Sequence, residues 1–423
     1  MEPLVELTIE RLGGQGDGIA RRRGEAVFVP FTLPGDRVRA RLGPRRQGGH
    51  EAWAVEWLAR GSGRTEPVCR HFARCGGCAL QHLGPETYHA AKLAGLDAAL
   101  KRVGIDPAVV KPLRAVAPGR RRARFGLRRP RHAHAPAIVG FRERFSHAVV
   151  DIRECAVLDP SLWALVAPLR DLAAAMLAPG GAVETSLTRI DSGMDMLVDA
   201  GEPPGLAALE ALSALAADRD IARVVWRAGG IDIPVVERRP ARMIFSGTTV
   251  PFPPGGFLQA SAEAEAMLVR DVLAGIGSAE RVVDLHAGLG TFSFALAQRA
   301  AVHAVDGARP AVAALAAAAA RAGLHRLGSE CRDLEARPLL PEELARFDAA
   351  VFDPPRAGAK HQAAVLARAP LHRVVAVSCN PASFARDARL LVDGGFRLTR
   401  VQPIDQFLWS PHVELVAWFE RSG

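Results

Sequence analysis

Residues 373–387, RVVAVSCNPASFARD, place one thiol where a thiol can react. The run Val374-Val375-Ala376-Val377 is short, mostly β-branched and uncharged, which predicts a strand. Pro381 ends it, and Ser383 is placed to cap a helix carrying Arg386 and Asp387. Cys379 then falls at the C-terminal tip of a buried strand, the edge where open α/β sheets hold their ligands. A thiol there is either a small core residue or a nucleophile. Two other runs end in the same manner. Residues 347–352 lead into Asp353-Pro354-Pro355-Arg356, and 281–285 lead into a Gly-rich turn. Three strand tips ending in Gly, Asp-Pro and Cys-Asn-Pro predict one composite site.

The Gly-rich turn reads Asp284-Leu285-His286-Ala287-Gly288-Leu289-Gly290-Thr291-Phe292 and opens a helix. Its glycines let a ligand approach the backbone. The next predicted strand, 301–305, ends in Asp306, where an acid can accept hydrogen bonds from both hydroxyls of a ribose. Two glycines, not the three of the pyrophosphate-binding fingerprint, favour S-adenosylmethionine over NAD.

A second constellation is made of cysteines. Cys69-x5-Cys75-x2-Cys78 has ligand spacing, and Gly76-Gly77 lets the chain fold tightly between the last two. Cys155, in Asp151-Ile152-Arg153-Glu154-Cys155, is the expected fourth thiolate, with His71 and His82 as less economical substitutes. Four thiolates suit zinc or an iron–sulfur cluster, and spacing does not separate the two. The three clustered cysteines are too tightly spaced to read as a disulfide framework.

The elements that must position these groups divide the 423 residues into three regions. Residues 1–60 read as five short strands separated by Gly13–Gly18 and Pro34-Gly35-Asp36, a small barrel of the OB type with a nucleic-acid-binding face. Arg21, Arg22, Arg23, Arg37, Arg39, Arg41, Arg45 and Arg46 decorate it, either as phosphate contacts or as a solvated surface. Residues 61–250 read as α+β, with helices at 85–104, 160–179 and 203–217 and a hairpin around Gly229-Gly230; the first helix is free to pack on the last region. Residues 251–423 alternate strand and helix, a doubly wound sheet. The first 150 residues hold 27 Lys and Arg against 13 Asp and Glu, and the rest hold 27 against 32. A basic front and a mildly acidic rear suggest a polyanion grip attached to another activity. No uncharged stretch reaches the length of a membrane span, and the N-terminus has no signal-peptide pattern. A cytoplasmic monomer with an RNA partner is expected.

Taken together, these motifs resemble the RNA uridine-C5 methyltransferase family, in particular its iron–sulfur branch acting on 23S ribosomal RNA. The resemblance covers nearly the whole chain. It includes Gly16-Asp17-Gly18-Ile19-Ala20 and Leu33-Pro34-Gly35-Asp36 of a TRAM-type barrel, the four cysteines, Phe257-Leu258-Gln259-Ala260, the Gly-rich turn, Asp353-Pro354-Pro355-Arg356-Ala357-Gly358, Ser378-Cys379-Asn380-Pro381 and His412-Val413-Glu414. It implies a Rossmann-like methyltransferase domain behind the barrel and a 4Fe–4S cluster on Cys69, Cys75, Cys78 and Cys155. It implies S-adenosylmethionine contacts at Gln259, His286, Thr291, Asp306, Asp333 and Asp353, a nucleophile at Cys379 and a base at Glu414. The chain departs from the family where His286-Ala287-Gly288 stands for an aromatic and a Cys-Gly, where Asp306 replaces a longer Glu, and where Asp333 stands for an Asn.

The chemistry agrees with the implied roles. Uracil C5 is a poor nucleophile until a thiolate adds at C6, and the C5 proton must then be removed by a nearby base. Glu414, between Val413 and Leu415 in an apolar run, is a costly place for an unused carboxylate. The substrate uridine has to be flipped out of its stack, with Arg120, Arg121, Arg122 and Arg124 expected along the flanking strand. Three rivals stand beside this reading: a transfer-RNA enzyme of the same chemistry, an exocyclic amino methyltransferase suggested by Asp353-Pro354-Pro355, and an RNA-binding assembly factor without activity. Arg356, where the amino methyltransferases carry an aromatic, counts against the second.

Overall fold

Eight strands form the sheet that carries the three tips. Their order is Leu327–Cys331, Ala301–Asp306, Arg281–Leu285, Ala349–Phe352, Arg373–Ser378, Glu414–Glu420, Arg397–Asp405 and Arg114–Ala115. The first five run parallel, and Glu414–Glu420 is antiparallel to both of its neighbours. The computed structural model describes residues 4–46, 48–132 and 135–421, without the side chain of Arg46. Glu2, at the start of the expected first strand, and the Arg46 side chain therefore lie outside the described residues. The central strands are apolar on both faces because helices cover both, so Val282, Val351 and Val375 face one core while Val283, Ala350 and Val374 face the other.

The helix Pro85–Arg102 joins the second of these cores. Leu96, Ala99 and Leu100 pack there with Phe384 and Val401. The chain from 85 to 115 thus belongs physically to the C-terminal sheet, down to the two-residue strand Arg114–Ala115 that pairs with Ile404 and Asp405. A two-residue strand leaves no periodic pattern, and it was not expected from the sequence.

The central region is a seven-stranded sheet in the order Val149–Asp151, Ile138–Arg142, Arg122–Arg128, Ala182–Ile190, Gly193–Ala200, Ile221–Ala228, Ile231–Glu237, with helices Val166–Met176 and Leu206–Asp218 in its core. The single helix expected over 160–179 is two helices, Pro160–Trp163 and Val166–Met176. Pro168 accounts for the break, since it has no N–H to donate to residue 164 and its ring crowds that carbonyl. The N-terminal sheet has six strands, not five: Gly18–Arg22, which the expected turn concealed, pairs with Glu25–Val29. No helix among the described residues is long and apolar enough to cross a membrane.

Candidate active site

Cys379 follows the last paired residue of its strand. Ser378 pairs with Leu415 in the antiparallel ladder, so the next step of the register sets Cys379 opposite Glu414. The helix after Cys379 runs Pro381–Asp393 and is capped by Asn380, whose side chain accepts from the Ala382 N–H at 3.1 Å. Ser383, expected as the cap, lies inside the first turn and instead donates its hydroxyl to the Arg356 and Asn380 carbonyls at 3.1 and 3.2 Å. Pro381 at the first helical position requires the cap one residue before it. Asn380 Nδ2 also donates to the Arg356 carbonyl at 2.9 Å, tying the cysteine tip to the Asp-Pro-Pro tip.

A line of side chains connects the remaining groups. Gln406 Oε1 accepts the Ala260 N–H at 3.0 Å, so its amide nitrogen must face the other way. That nitrogen donates to Glu414 Oε2 at 2.6 Å and to Gln259 Oε1 at 2.9 Å. Gln259 Nε2 then donates to Asp353 Oδ2 at 3.1 Å. One backbone amide thereby sets the direction of the whole line and puts an N–H donor on each carboxylate. Gln406 was not expected from the sequence. Its only signal is its place directly after a strand that pairs with the one opening at Glu414.

The charges that act on Cys379 are Glu414 and Asp353 on one side of the balance and Arg356 on the other. Burial pushes Asp353 up to about 7, with the Gln259 hydrogen bond opposing. Burial and the charge of Asp353 raise Glu414 well above the ordinary carboxylate range. Cys379, half-buried and free, is pushed up to about 11, first by burial and then by Glu414 and Asp353, with Arg356 pulling the other way. Three acids therefore compete for ionisation at one place.

The Gly-rich turn sits two strands away. Gly288 and Gly290 have φ of +55° and +91°, and a Cβ on Gly288 would meet nothing within 4 Å. Asp306 Oδ2 accepts the Gly288 N–H at 3.0 Å and Oδ1 accepts the Ala308 N–H at 2.6 Å. Asp333 Oδ1 caps the next turn through the Glu335 and Ala336 N–H groups. His286 stands among Asp306, Asp333 and Glu335 in a left-handed conformation, φ +60°, with a buried Nε2 that has no partner among the described residues. Thr291 is half-buried just after Gly290. Asp284, buried and pushed up to about 7, faces both Asp306 and Asp353 and accepts from Ser293 Oγ at 2.5 Å. The expected residues therefore form two groups, Cys379, Glu414, Gln259 and Asp353 at one and His286, Asp306 and Asp333 at the other, with Asp284 between. An open cradle at Gly288, a buried His286 nitrogen with no partner among the described residues and the Asp306 carboxylate against the turn fit a nucleoside-bearing sulfonium ligand.

Cys69, Cys75, Cys78 and Cys155 line one cavity with Gln81 and Phe141. Burial pushes Cys78 up to about 12, and the other three thiols add to the rise. Among the described residues, no three His, Cys, Asp or Glu side chains are grouped as the shell of a single metal ion. His71 lines the same cavity, but His82 stands outside it, donating its Nε2–H to the Thr32 carbonyl at 3.4 Å and packing against Phe72 and Phe31.

Of the arginines expected along the RNA strand, two are neutralised within the protein. Arg121 is buried against Glu265 and also donates to the Gln259 carbonyl, while Arg124 pairs with Glu184 and Asp199. Arg120 lies over the Phe407 ring at 5.7 Å and Arg122 over Phe257 at 4.6 Å, where it also donates to the Leu258 carbonyl at 2.8 Å; neither has a carboxylate partner among the described residues.

A mostly parallel sheet with a glycine turn after one strand, an acid closing the next and a cysteine tip beyond defines a Rossmann-like methyltransferase domain, preceded here by a small β domain. The TRAM domain description matches residues 4–42, and tRNA (Uracil-5-)-methyltransferase matches residues 340–422. The chain is 43% identical over 415 residues to an uncharacterized RNA methyltransferase of Brucella suis, covering 97% of both proteins. It is 38% identical over 430 residues to the 23S rRNA (uracil(1939)-C(5))-methyltransferase RlmD of Chromohalobacter salexigens, covering 98% of this chain and 89% of that one. A crystal structure of the Pyrococcus abyssi tRNA (uracil-54, C5)-methyltransferase with S-adenosyl-L-homocysteine shares the fold, with a TM-score of 0.74 at 22% identity over 98% of this chain and all of that one. The chain belongs to the S-adenosylmethionine-dependent RNA uracil-5-methyltransferase family.

Proposed function

We propose that this enzyme methylates C5 of a uridine in 23S ribosomal RNA through a transient bond between Cys379 and C6. The observation that carries the reading is the strand register that sets Cys379 opposite Glu414, beside the line of amides reaching Asp353. S-adenosylmethionine supplies an electrophilic methyl group on its sulfonium. Cys379 Sγ, as thiolate, adds to C6 and makes C5 nucleophilic; C5 bonds the methyl carbon as the bond from that carbon to sulfur breaks. Glu414 takes the C5 proton, the C5–C6 double bond re-forms, and the thiolate leaves. Gln406 holds Glu414 in place, and Gln259 holds Asp353 toward the base edge or the methionine portion of the cofactor. Asp306 serves the ribose hydroxyls, and His286, Thr291 and Asp333 complete the cradle. Ribosomal RNA is favoured over transfer RNA by the much higher identity to the rRNA enzyme than to the tRNA enzyme.

Four thiols around one cavity suit the 4Fe–4S cluster that the sequence resemblance implies. Cys69, Cys75, Cys78 and Cys155 would hold it, and its role would be structural, since the reaction has no redox step. Anaerobically purified protein should contain iron and acid-labile sulfide; zinc in their place overturns this part of the reading. The reaction is tested with 23S rRNA fragments and tRNA transcripts by mass mapping of 5-methyluridine. Cys379→Ala should form no covalent adduct with 5-fluorouridine RNA and no product. Product or adduct from that variant removes the nucleophile assignment, and product on tRNA alone shifts the substrate.

A further inference from the structure

The residues that present Gln406 and Glu414 are joined by a loop, 406–413, with almost no structure of its own. Its internal bonds are Ser410 N–H to the Phe407 carbonyl at 3.0 Å and His412 N–H to Ser410 Oγ at 3.1 Å. What holds it comes from more than 300 residues earlier. Lys92, on the helix Pro85–Arg102, is fully buried and spends all three of its N–H donors on this segment. It reaches Asp405 Oδ1 at 2.6 Å, the Phe407 carbonyl at 3.0 Å and the His412 carbonyl at 2.5 Å. Those acceptors flank the two functional residues: Asp405 directly precedes Gln406, and His412 lies two residues before Glu414. Tyr88, one turn earlier on the same helix, donates to Asp405 Oδ2 at 2.5 Å and accepts the Trp409 N–H at 2.9 Å. The Trp409 carbonyl takes the N–H groups of Ala79 and Leu80, the two residues after Cys78, at 2.8 and 2.9 Å. Trp409 is itself held at φ +56°, a left-handed conformation a tryptophan adopts only under outside constraint.

We propose that Lys92 is a positioning residue for the proton-removal step: with Tyr88 it clamps both stems of loop 406–413 and so fixes the Glu414 carboxylate at the uracil C5. The inference rests on the function proposed above. A buried ammonium is a costly strut when three backbone-satisfying water molecules or an apolar side chain could fill the space. Its worth here lies in geometry, because one nitrogen measures the distance between the two ends of the loop. The amides after Cys78 bond the same loop at Trp409, which makes the four-cysteine segment a neighbour of loop 406–413 and not a remote appendage. Leu80, Leu83, Tyr88, Leu408 and Trp409 share one small apolar cluster there with Leu33 of the N-terminal sheet.

The test separates the two halves of the reaction. A 5-fluorouridine has no C5 proton to lose, so its covalent adduct reports Cys379 and methyl transfer alone. Turnover on uridine RNA also requires Glu414. Lys92→Met, which keeps the length and removes the donors, should leave the yield and rate of the 5-fluorouridine adduct within about twofold. It should lower kcat on uridine RNA about 10- to 100-fold, the scale of a misplaced catalytic group, and leave ordinary RNA covalently attached on a denaturing gel. Tyr88→Phe should act in the same direction by a few-fold. Parallel loss of adduct and turnover, or no change in either, overturns the proposal. Should Lys92→Met not fold, the same ratio in Tyr88→Phe decides. Absence of any adduct from the unaltered protein would instead strike the function proposed above and not the clamp.

Discussion

At Cys379 the sulfur is harder to ionise than a free thiol, because it is half-buried and faces two carboxylates. The direction matters for catalysis. A nucleophile that works as thiolate and a base that works as carboxylate both gain active form as pH rises, and both are shifted upward here. With Cys379 near 11, the thiolate alone should make kcat/KM for RNA climb by at least about tenfold per pH unit between roughly 6.5 and 8.5, and the raised Glu414 can only steepen the climb. A profile flat over that range would show that the pocket of the free enzyme does not hold these groups protonated. The arginine next to Asp353-Pro354-Pro355 has a defined part in this balance: Arg356 is the charge that favours the thiolate. Arg356→Met should displace the rise toward higher pH, measured in the same profile.

At the scale of the element, two glycines in one turn carry different loads. Gly290 has φ +91°, and a Cβ there would come within 2.7 Å of Phe294 and 2.9 Å of Leu315. Gly290→Ala should therefore cost about 2–4 kcal/mol of stability, the sum of a disfavoured backbone and an overfilled core, read from urea unfolding. Gly288 points into open space at φ +55°. Gly288→Ala should cost only about 1 kcal/mol but weaken binding of S-adenosylhomocysteine, measured by calorimetry. The reverse ranking would mean that the open face of the turn is not the cofactor side. The turn was plain in the sequence because glycine spacing is local. The cap at Asn380 was assigned to Ser383 because both residue types cap helices, and only the position of Pro381 in the folded helix separates them.

Over the whole molecule, charge counted along the chain is a poor guide to charge available to a ligand. Arg120, Arg121, Arg122 and Arg124 read as one basic strip, yet Arg121 and Arg124 are consumed by Glu265, Glu184 and Asp199. Arg120→Met should lower the slope of log affinity for RNA against log salt by about one, while Arg124→Met should leave it unchanged. Equal slopes for both variants would place the phosphate grip elsewhere. The same scale explains how the helix Pro85–Arg102, more than 300 residues from Glu414 in sequence, comes to lie beside it: the helix packs into the C-terminal sheet and brings Lys92 to Asp405 and the His412 carbonyl at the two ends of loop 406–413.

By itself the sequence determined the parts that are local. These were the strand tips at Gly288, Asp353 and Cys379, the cysteine spacing at 69, 75 and 78, the short hydrophobic runs of the parallel sheet, and the family to which their combination belongs. Only the tertiary structure decided which carboxylate faces the thiol, which arginines lack a carboxylate partner, and that Gln406 bonds Glu414 while Lys92 bonds both ends of loop 406–413. The reason is physical: strand and turn preferences are encoded within a few residues, whereas the ionisation of a carboxylate, the freedom of a guanidinium and the aim of an amide depend on neighbours brought together across hundreds of residues of chain.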